Sequence, residues 1–199
     1  MTETTPFKQA LPIGGTGHRS SGWWGMLALV LTEAALFAYM LFSYFYLASQ
    51  AHGKWLPTDA PSLRLALPNT IILIASSFVL WWGERGIRQG QRMRLLAATA
   101  ITLIMGIVFA ILQFMEWHNK PFSLTDHAYG SLYYTITGFH MAHVLGGLLI
   151  LFALLLWTAL GKFDAKHHAA VSTGAIYWHF VDIVWLAVFS TFYIYPYLR

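Results

Sequence analysis

Apolar positions in this chain fall into five long runs, separated by shorter stretches rich in proline, glycine and charge. The runs are read over about 22–47, 68–84, 95–117, 131–160 and 171–195. A helix needs roughly 20 apolar residues to cross the hydrocarbon core of a bilayer, and most of these runs reach that length. The pattern predicts an all-α polytopic membrane protein, a bundle of five transmembrane helices. The first run opens on Ser20-Ser21-Gly22, with Trp23 and Trp24 at an interface. The second starts at Pro68, which a first helical turn tolerates, and reaches Trp81-Trp82. Between the second and third lies a loop, Glu84 to Arg94, carrying four arginines. Pro196 is expected to end the fifth run.

Residues 1–20 are polar, with Pro6, Pro12 and a Gly-Gly pair, and are read as a flexible cytoplasmic tail. They lack the charged-then-apolar pattern of a cleaved signal peptide, so the first run is expected to stay in the mature protein. Residues 21–199 are read as a single five-helix transmembrane domain without internal repeat.

Composition sharpens this picture. Of 199 residues, 57% are hydrophobic and 10% charged, where a soluble domain carries roughly a quarter charged. The net charge of +4 comes from basic residues in the short loops, which reads as a topology signal and not as a nucleic-acid footprint. Lys8, Arg19, Arg85, Arg88, Arg92, Arg94, Lys162 and Lys166 lie on one side; Lys54, Arg64, Lys120 and Arg199 lie on the other. The positive-inside rule therefore places the N-terminus in the cytoplasm and, after five spans, the C-terminus outside. With no cysteine, disulfides, thiolate metal sites and cysteine catalysis are excluded.

Titratable and polar side chains inside a span are costly and mark candidate sites. Glu33 lies ten residues beyond Trp23, near mid-bilayer, where a carboxyl must carry its proton or find a donor. Gln113 and Glu116 share one face at the outer end of the third span, with Glu116 near the interface, where a carboxylate is cheap. His140 and His143 stand three residues apart beside a stripe of small residues, Ser131, Thr135, Gly138, Ala142 and Gly146, which is expected to make a tight helix contact. His179 and Asp182 are spaced so that the carboxylate can hold the imidazole. The two histidine-bearing pairs could serve a metal or haem. Interhelical hydrogen bonding is the preferred reading, because no third ligand stands at a telling distance.

The strings that carry these residues resemble the subunit III family of cytochrome c oxidases. They are Leu31-Thr32-Glu33 with Phe37; Asn69-Thr70 with Ala75-Ser76-Ser77; Leu112-Gln113 with Glu116; Tyr129-Gly130-Ser131 with Thr137-Gly138-Phe139-His140 and His143-Val144; His167-His168; and Tyr177-Trp178-His179-Phe180-Val181-Asp182 with Val184-Trp185. The last string and the Thr-Gly-Phe-His run are the most specific. The family's longer form has seven helices, and this chain resembles its last five, as shorter bacterial members do. Contacts that the longer form makes to phospholipid through its first helices are not carried over.

The resemblance implies a non-catalytic core subunit of a haem-copper oxygen reductase in a bacterial cytoplasmic membrane. Haem and copper would sit in partner subunits, with none bound by this chain and phospholipid at the subunit interface. The implied partners are oxidase subunit I directly, subunit II and cytochrome c within the complex, and membrane lipid. Glu33 would be the key buried carboxyl, and Asp164, His167 and His168 would collect protons at the cytoplasmic entrance. The rival readings are the equivalent subunit of a quinol oxidase, an accessory subunit of nitric oxide reductase, a haem-binding membrane cytochrome, and a proton-coupled carrier. The carrier stands last because the inverted repeats common in carriers are missing.

Overall fold

The computed structural model describes residues 21–51, 55–56, 61–165 and 167–198. The tail read over 1–20 and the cations Lys8, Arg19, Lys54, Lys166 and Arg199 lie outside the described residues. Five helices are long and apolar enough to cross a membrane: α1 (Ser21–Gln50), α2 (Leu63–Arg88), α3 (Arg92–His118), α4 (Ala128–Ala159) and α5 (Ala169–Phe189). Among the described residues there is no strand. This is the all-α multi-pass membrane architecture that the apolar runs predict.

Helix ends depart from the sequence reading where local chemistry extends them. Ser62 caps α2 by accepting the Arg64 amide at 3.4 Å, so the helix starts five residues before Pro68 and the proline lies inside it. Proline there removes the single amide that would have bonded to the carbonyl four residues earlier, close enough to the helix start for the remaining turns to hold. The expected arginine loop shrinks to a turn at residues 89–91, and Arg85, Arg88, Arg92 and Arg94 sit on helix ends. Gly90, at φ 75°, stops α2: its amide reaches the Ile87 carbonyl at 2.9 Å and that of Gln91 reaches Gly86 at 2.9 Å. Gly161, at φ 73°, ends α4 with the same pair of bonds, to Thr158 and Trp157. Left-handed backbone of this kind costs glycine little. The guanidinium of Arg92 then donates to the carbonyls of Thr158 and Ala159, tying the start of α3 to the end of α4.

Pro196 acts earlier than expected. The α-helical ladder stops at Phe189 and widens into a π turn over Ser190–Ile194 before a 3₁₀ turn at Tyr195–Tyr197. Proline cannot donate to the carbonyl four residues back, and its ring crowds that carbonyl, so the last turns change pitch.

The fifth helix is the central post. It packs on α1, α2 and α4, and α3 closes the bundle against α2 and α4. The apolar window of α5 is 61% buried, against 6% in α1. Trp178 and Trp185, seven residues apart on one face of α5, are both buried. Gly106 on α3 and Gly147 on α4 make room for Trp178: a Cβ on either would come within 2.7 Å of its ring. Of the expected small-residue stripe only its end makes a tight contact within the chain: a Cβ on Gly146 would come 3.2 Å from the Tyr177 hydroxyl of α5. Gly138 faces open space, Thr135 and Ala142 are exposed, and the closest approach uses Gly147, one residue round the helix. The stripe predicted a face, but only the bulk of the facing side chain decides which small residue is needed.

Indole N–H groups stitch the layers together. Trp178 donates to Ser76 Oγ at 2.9 Å, Trp185 to Thr70 Oγ1 at 3.0 Å and Trp117 to Thr137 Oγ1 at 3.1 Å. A buried indole needs an acceptor, and in a lipid-facing bundle only another helix can supply one. At the end of the bundle that carries the arginines, Arg85 lies 3.9 Å from the centroid of Trp81 and Arg94 lies 4.4 Å from that of Trp82, an arrangement suited to an interface.

Candidate functional site

Polar side chains within the spans form three clusters and one isolated histidine, and the structure partners them differently from what spacing alone suggested.

The first joins α1 to α4. Glu33 Oε2 lies 3.2 Å from His143 Nε2. His143 Nδ1 lies 2.7 Å from the Phe139 carbonyl, which can only accept, so Nδ1 carries the hydrogen. The Nε2 position can then face Glu33 in two ways, as a lone pair against a protonated carboxyl or as an imidazolium N–H against a carboxylate. In either form the pair holds one exchangeable proton and no net charge, which suits its depth. Both side chains stay partly exposed on the outside of the bundle, at 28% for Glu33 and 15% for His143.

The second cluster lies at the outer end of α3. Glu116 pairs with Lys120 at 2.6 Å and accepts from the Tyr193 hydroxyl at 3.3 Å. Tyr193 and Tyr133 hydroxyls lie 2.8 Å apart, and the Lys120 ammonium sits 5.1 and 5.2 Å from their ring centroids. Glu116 is only 8% exposed. The expectation of a cheap interfacial carboxylate is therefore corrected: this is a buried, paired one. The π turn brings Tyr193 into it. Gln113, one turn back, is also buried, and its side-chain amide faces the Tyr133 hydroxyl of this cluster.

The third cluster spans α2 and α5. His179 and Asp182 do not hold each other directly. Ser77 stands between them, 2.8 Å from His179 Nδ1 and donating to Asp182 Oδ2. A hydroxyl with one hydrogen can donate once, so His179 Nδ1–H donates to Ser77 and Ser77 donates to Asp182. The i, i+3 spacing places the two on the same side of α5 but leaves a gap that a residue on another helix fills. Ser77, Phe78, Trp81 and His179 line a shallow cavity of about 250 Å³ beside it.

His140 stands apart. It is fully buried, stacked on Trp185 at 4.9 Å between centroids and 30° between planes, with Phe109 at 5.9 Å. Neither ring nitrogen has a hydrogen-bond partner among the described residues. The expected interhelical hydrogen bond is thus made by His143 and not by His140, because a step of three residues turns the second ring from the core toward α1.

Outside the spans, Asp164 accepts from the His167 amide at 2.7 Å and lies 3.0 Å from its ring, in a strongly exposed turn; His168 beside them is half-buried. In the loop before α4, Asp126 accepts from the Ser123 hydroxyl at 2.6 Å and the Ser123 amide at 2.7 Å, and these bonds lower its pKa. Among the described residues no three His, Asp or Glu side chains gather as a metal ion would require.

Sequence reasoning passed over Lys120, Tyr133, Tyr193 and Ser77. Lys120 and Tyr193 could have been sought from the need of a buried Glu116 for a donor. Ser77 stood in a family-like string, but nothing in that string tied it to His179 or Asp182 on another helix.

Residues 18–197 match the family profile described as cytochrome c oxidase subunit III. Proteins named cytochrome c oxidase subunit 3 are similar over nearly the same span. That of Scyliorhinus canicula is 33% identical over 177 residues, that of Gallus gallus 34% over 177 and that of Oncorhynchus clarkii 36% over 178. Each alignment covers 85% of this chain and 68% of the relative.

Proposed function

This chain belongs to the cytochrome c oxidase subunit III family, and we propose that it is the non-catalytic core subunit III of a proton-pumping haem-copper oxygen reductase. The observation that carries this reading is the family match running through every span, 18–197, with Glu33, Glu116, Asp182 and two of the three span histidines bonded across helices. The chain stabilises the catalytic subunit and its lipids and supports proton uptake, while haem and copper reside in partners. It lies in a bacterial cytoplasmic membrane with its N-terminus inside, an orientation supported by the arginines gathered at the α2–α3 turn. Purifying the tagged chain in mild detergent tests the assignment. Subunits carrying haem, together with a copper-bearing subunit that accepts electrons from cytochrome c, are expected to come with it. Recovery with quinol-oxidising or nitric-oxide-reducing subunits would move it to a neighbouring branch. A stoichiometric haem absorption band from the isolated chain would overturn the proposal.

Within this role the exposed Asp164–His167 pair and neighbouring His168 form a proton-collecting patch. Groups titrating near neutral pH can hand protons on without large driving force. Replacing all three with asparagine or glutamine is expected to slow proton uptake by the assembled oxidase at neutral pH; an unchanged rate removes the assignment.

Glu33 is the reactive carboxyl of the membrane interior. A hydrophobic carbodiimide partitions into apolar surroundings and attacks protonated carboxyls, and Glu33 is partly open to lipid while Glu116 is closed off beneath Lys120. Labelling is expected at Glu33 and absent in Glu33→Gln. Undiminished labelling of that variant would place the reactive group elsewhere.

A further inference from the structure

Ser77, His179 and Asp182 are tied into a chain of hydrogen bonds that begins at a cavity and ends inside the bundle. Ser77 and His179 line the cavity of about 250 Å³, with Phe78 and Trp81 as its apolar walls. His179 Nδ1 is spent on Ser77 Oγ at 2.8 Å. Its Nε2 has no partner among the described residues and, unlike the nitrogens of His140, is not sealed from the surface. At the other end Asp182 is only 6% exposed. Ser77 donates to its Oδ2, and its Oδ1 is buried with no hydrogen-bond partner among the described residues.

The cavity runs along α2 from Ser77 to Trp81, a rise of about 6 Å, toward the end of the bundle where Arg85 lies on the Trp81 ring. Glu84, three residues past Trp81, accepts from Ser172 of α5 at 2.7 Å and from Arg88 at 2.6 Å, and its charge acts on His179. The titratable groups of the other helices packed on α5 are engaged elsewhere. Glu33 of α1 pairs with His143 of α4 beside Phe180, and His140 of α4 stacks on Trp185. Among the described residues no cation is bonded to Asp182.

A hydroxyl carries one hydrogen and can rotate, so the same heavy atoms support two directions of hydrogen bonding. In one, His179 Nδ1–H donates to Ser77 and Ser77 donates to the Asp182 carboxylate. In the other, protonated Asp182 donates to Ser77 and Ser77 donates to an Nδ1 lone pair, with the ring hydrogen on Nε2. The two states differ by one proton. As Nε2 takes a proton from the cavity, the Nδ1 hydrogen passes to Ser77 Oγ and the Ser77 hydrogen passes to Asp182 Oδ2. One N–H forms while another breaks, one serine O–H replaces another, and the net gain is the O–H on Asp182. The cluster is then neutral, which suits a carboxyl buried in a span without a counter-ion.

We propose that Ser77, His179 and Asp182 form a proton-loading site, in which a proton entering from the cavity at His179 Nε2 is relayed through Ser77 and held on Asp182. Release retraces the same steps. The inference uses groups of this chain alone and stands whichever oxidase subunits surround it.

Infrared difference spectra of the purified assembly, between alkaline and acidic buffer, test the site. The carbonyl band of a protonated carboxyl is expected on the acid side and is expected to be missing in Asp182→Asn, whose amide matches the protonated side chain in shape. Transfer into heavy water shifts that band, and the rate of the shift reads the relay. Ser77→Ala and His179→Phe each cut the chain and are expected to slow the exchange by roughly 100-fold. Ser77→Thr keeps the hydroxyl and should exchange like the unmodified protein. An acid-side spectrum that Asp182→Asn leaves unaltered would overturn the proposal, because Asp182 then takes up no proton. Undiminished exchange in either Ser77→Ala or His179→Phe would overturn it as well, since the proton would be reaching Asp182 by another route.

Discussion

Lys120→Met is expected to destabilise the bundle by about 3–5 kcal/mol, because it leaves the Glu116 carboxylate buried without its counter-ion. The pair is close, at 2.6 Å, and both side chains are nearly closed off, at 11% and 10% exposure. An exposed ion pair of the same geometry would contribute little, since water would screen it and solvate the survivor. Here the survivor has only the Tyr193 hydroxyl, at 3.3 Å. Thermal unfolding of the chain in its purified assembly measures the loss. Combining Lys120→Met with Glu116→Gln removes both charges, and most of the stability is expected to return. A single variant as stable as the unmodified protein would show that Glu116 reaches water or another donor.

Trp178→Ala is expected to cost a similar amount, about 3–5 kcal/mol, through the cavity left at the centre of the bundle. Trp178 is fully buried, touches both the Gly106 and Gly147 positions, and bonds to Ser76. The same geometry predicts a coupling. Gly147→Ala in the unmodified chain drives a methyl to 2.7 Å from the indole and should cost about 1–3 kcal/mol. In the Trp178→Ala background the indole is gone, and the added methyl is expected to be neutral or favourable. A double-mutant cycle on thermal stability reads the difference directly. Additive effects would mean that the glycine serves something other than the tryptophan.

Both predictions rest on features that differ in how far sequence could reach them. Five spans were legible because the length of an apolar run is a one-dimensional quantity, and the bilayer sets its threshold. Gly90 and Gly161 end helices in the stretches read as loops, although α2 runs on to Arg88, past the expected 84. The polar residues worth watching were also legible, since any acid or imidazole inside such a run is conspicuous. Pairing was not. Spacing of three along α5 suggested that Asp182 holds His179, yet Ser77 on α2 stands between them. The two α4 histidines looked equivalent, yet His143 meets Glu33 while His140 lies under Trp185 with no hydrogen-bond partner among the described residues. Glu116 looked interfacial, and Lys120 with Tyr193 bury it.

Hydrophobicity along the chain thus determined that this protein crosses the membrane five times as helices, because lipid leaves the backbone no alternative that satisfies its own hydrogen bonds. Family membership could likewise be read from residue strings. Tertiary structure alone decided which polar group answers which, since partners on different helices lie up to 115 residues apart and their meeting depends on helix rotation and side-chain bulk. A rotation of one residue, about 100°, turns a side chain from the core to lipid, and no pattern within a single helix specifies that angle.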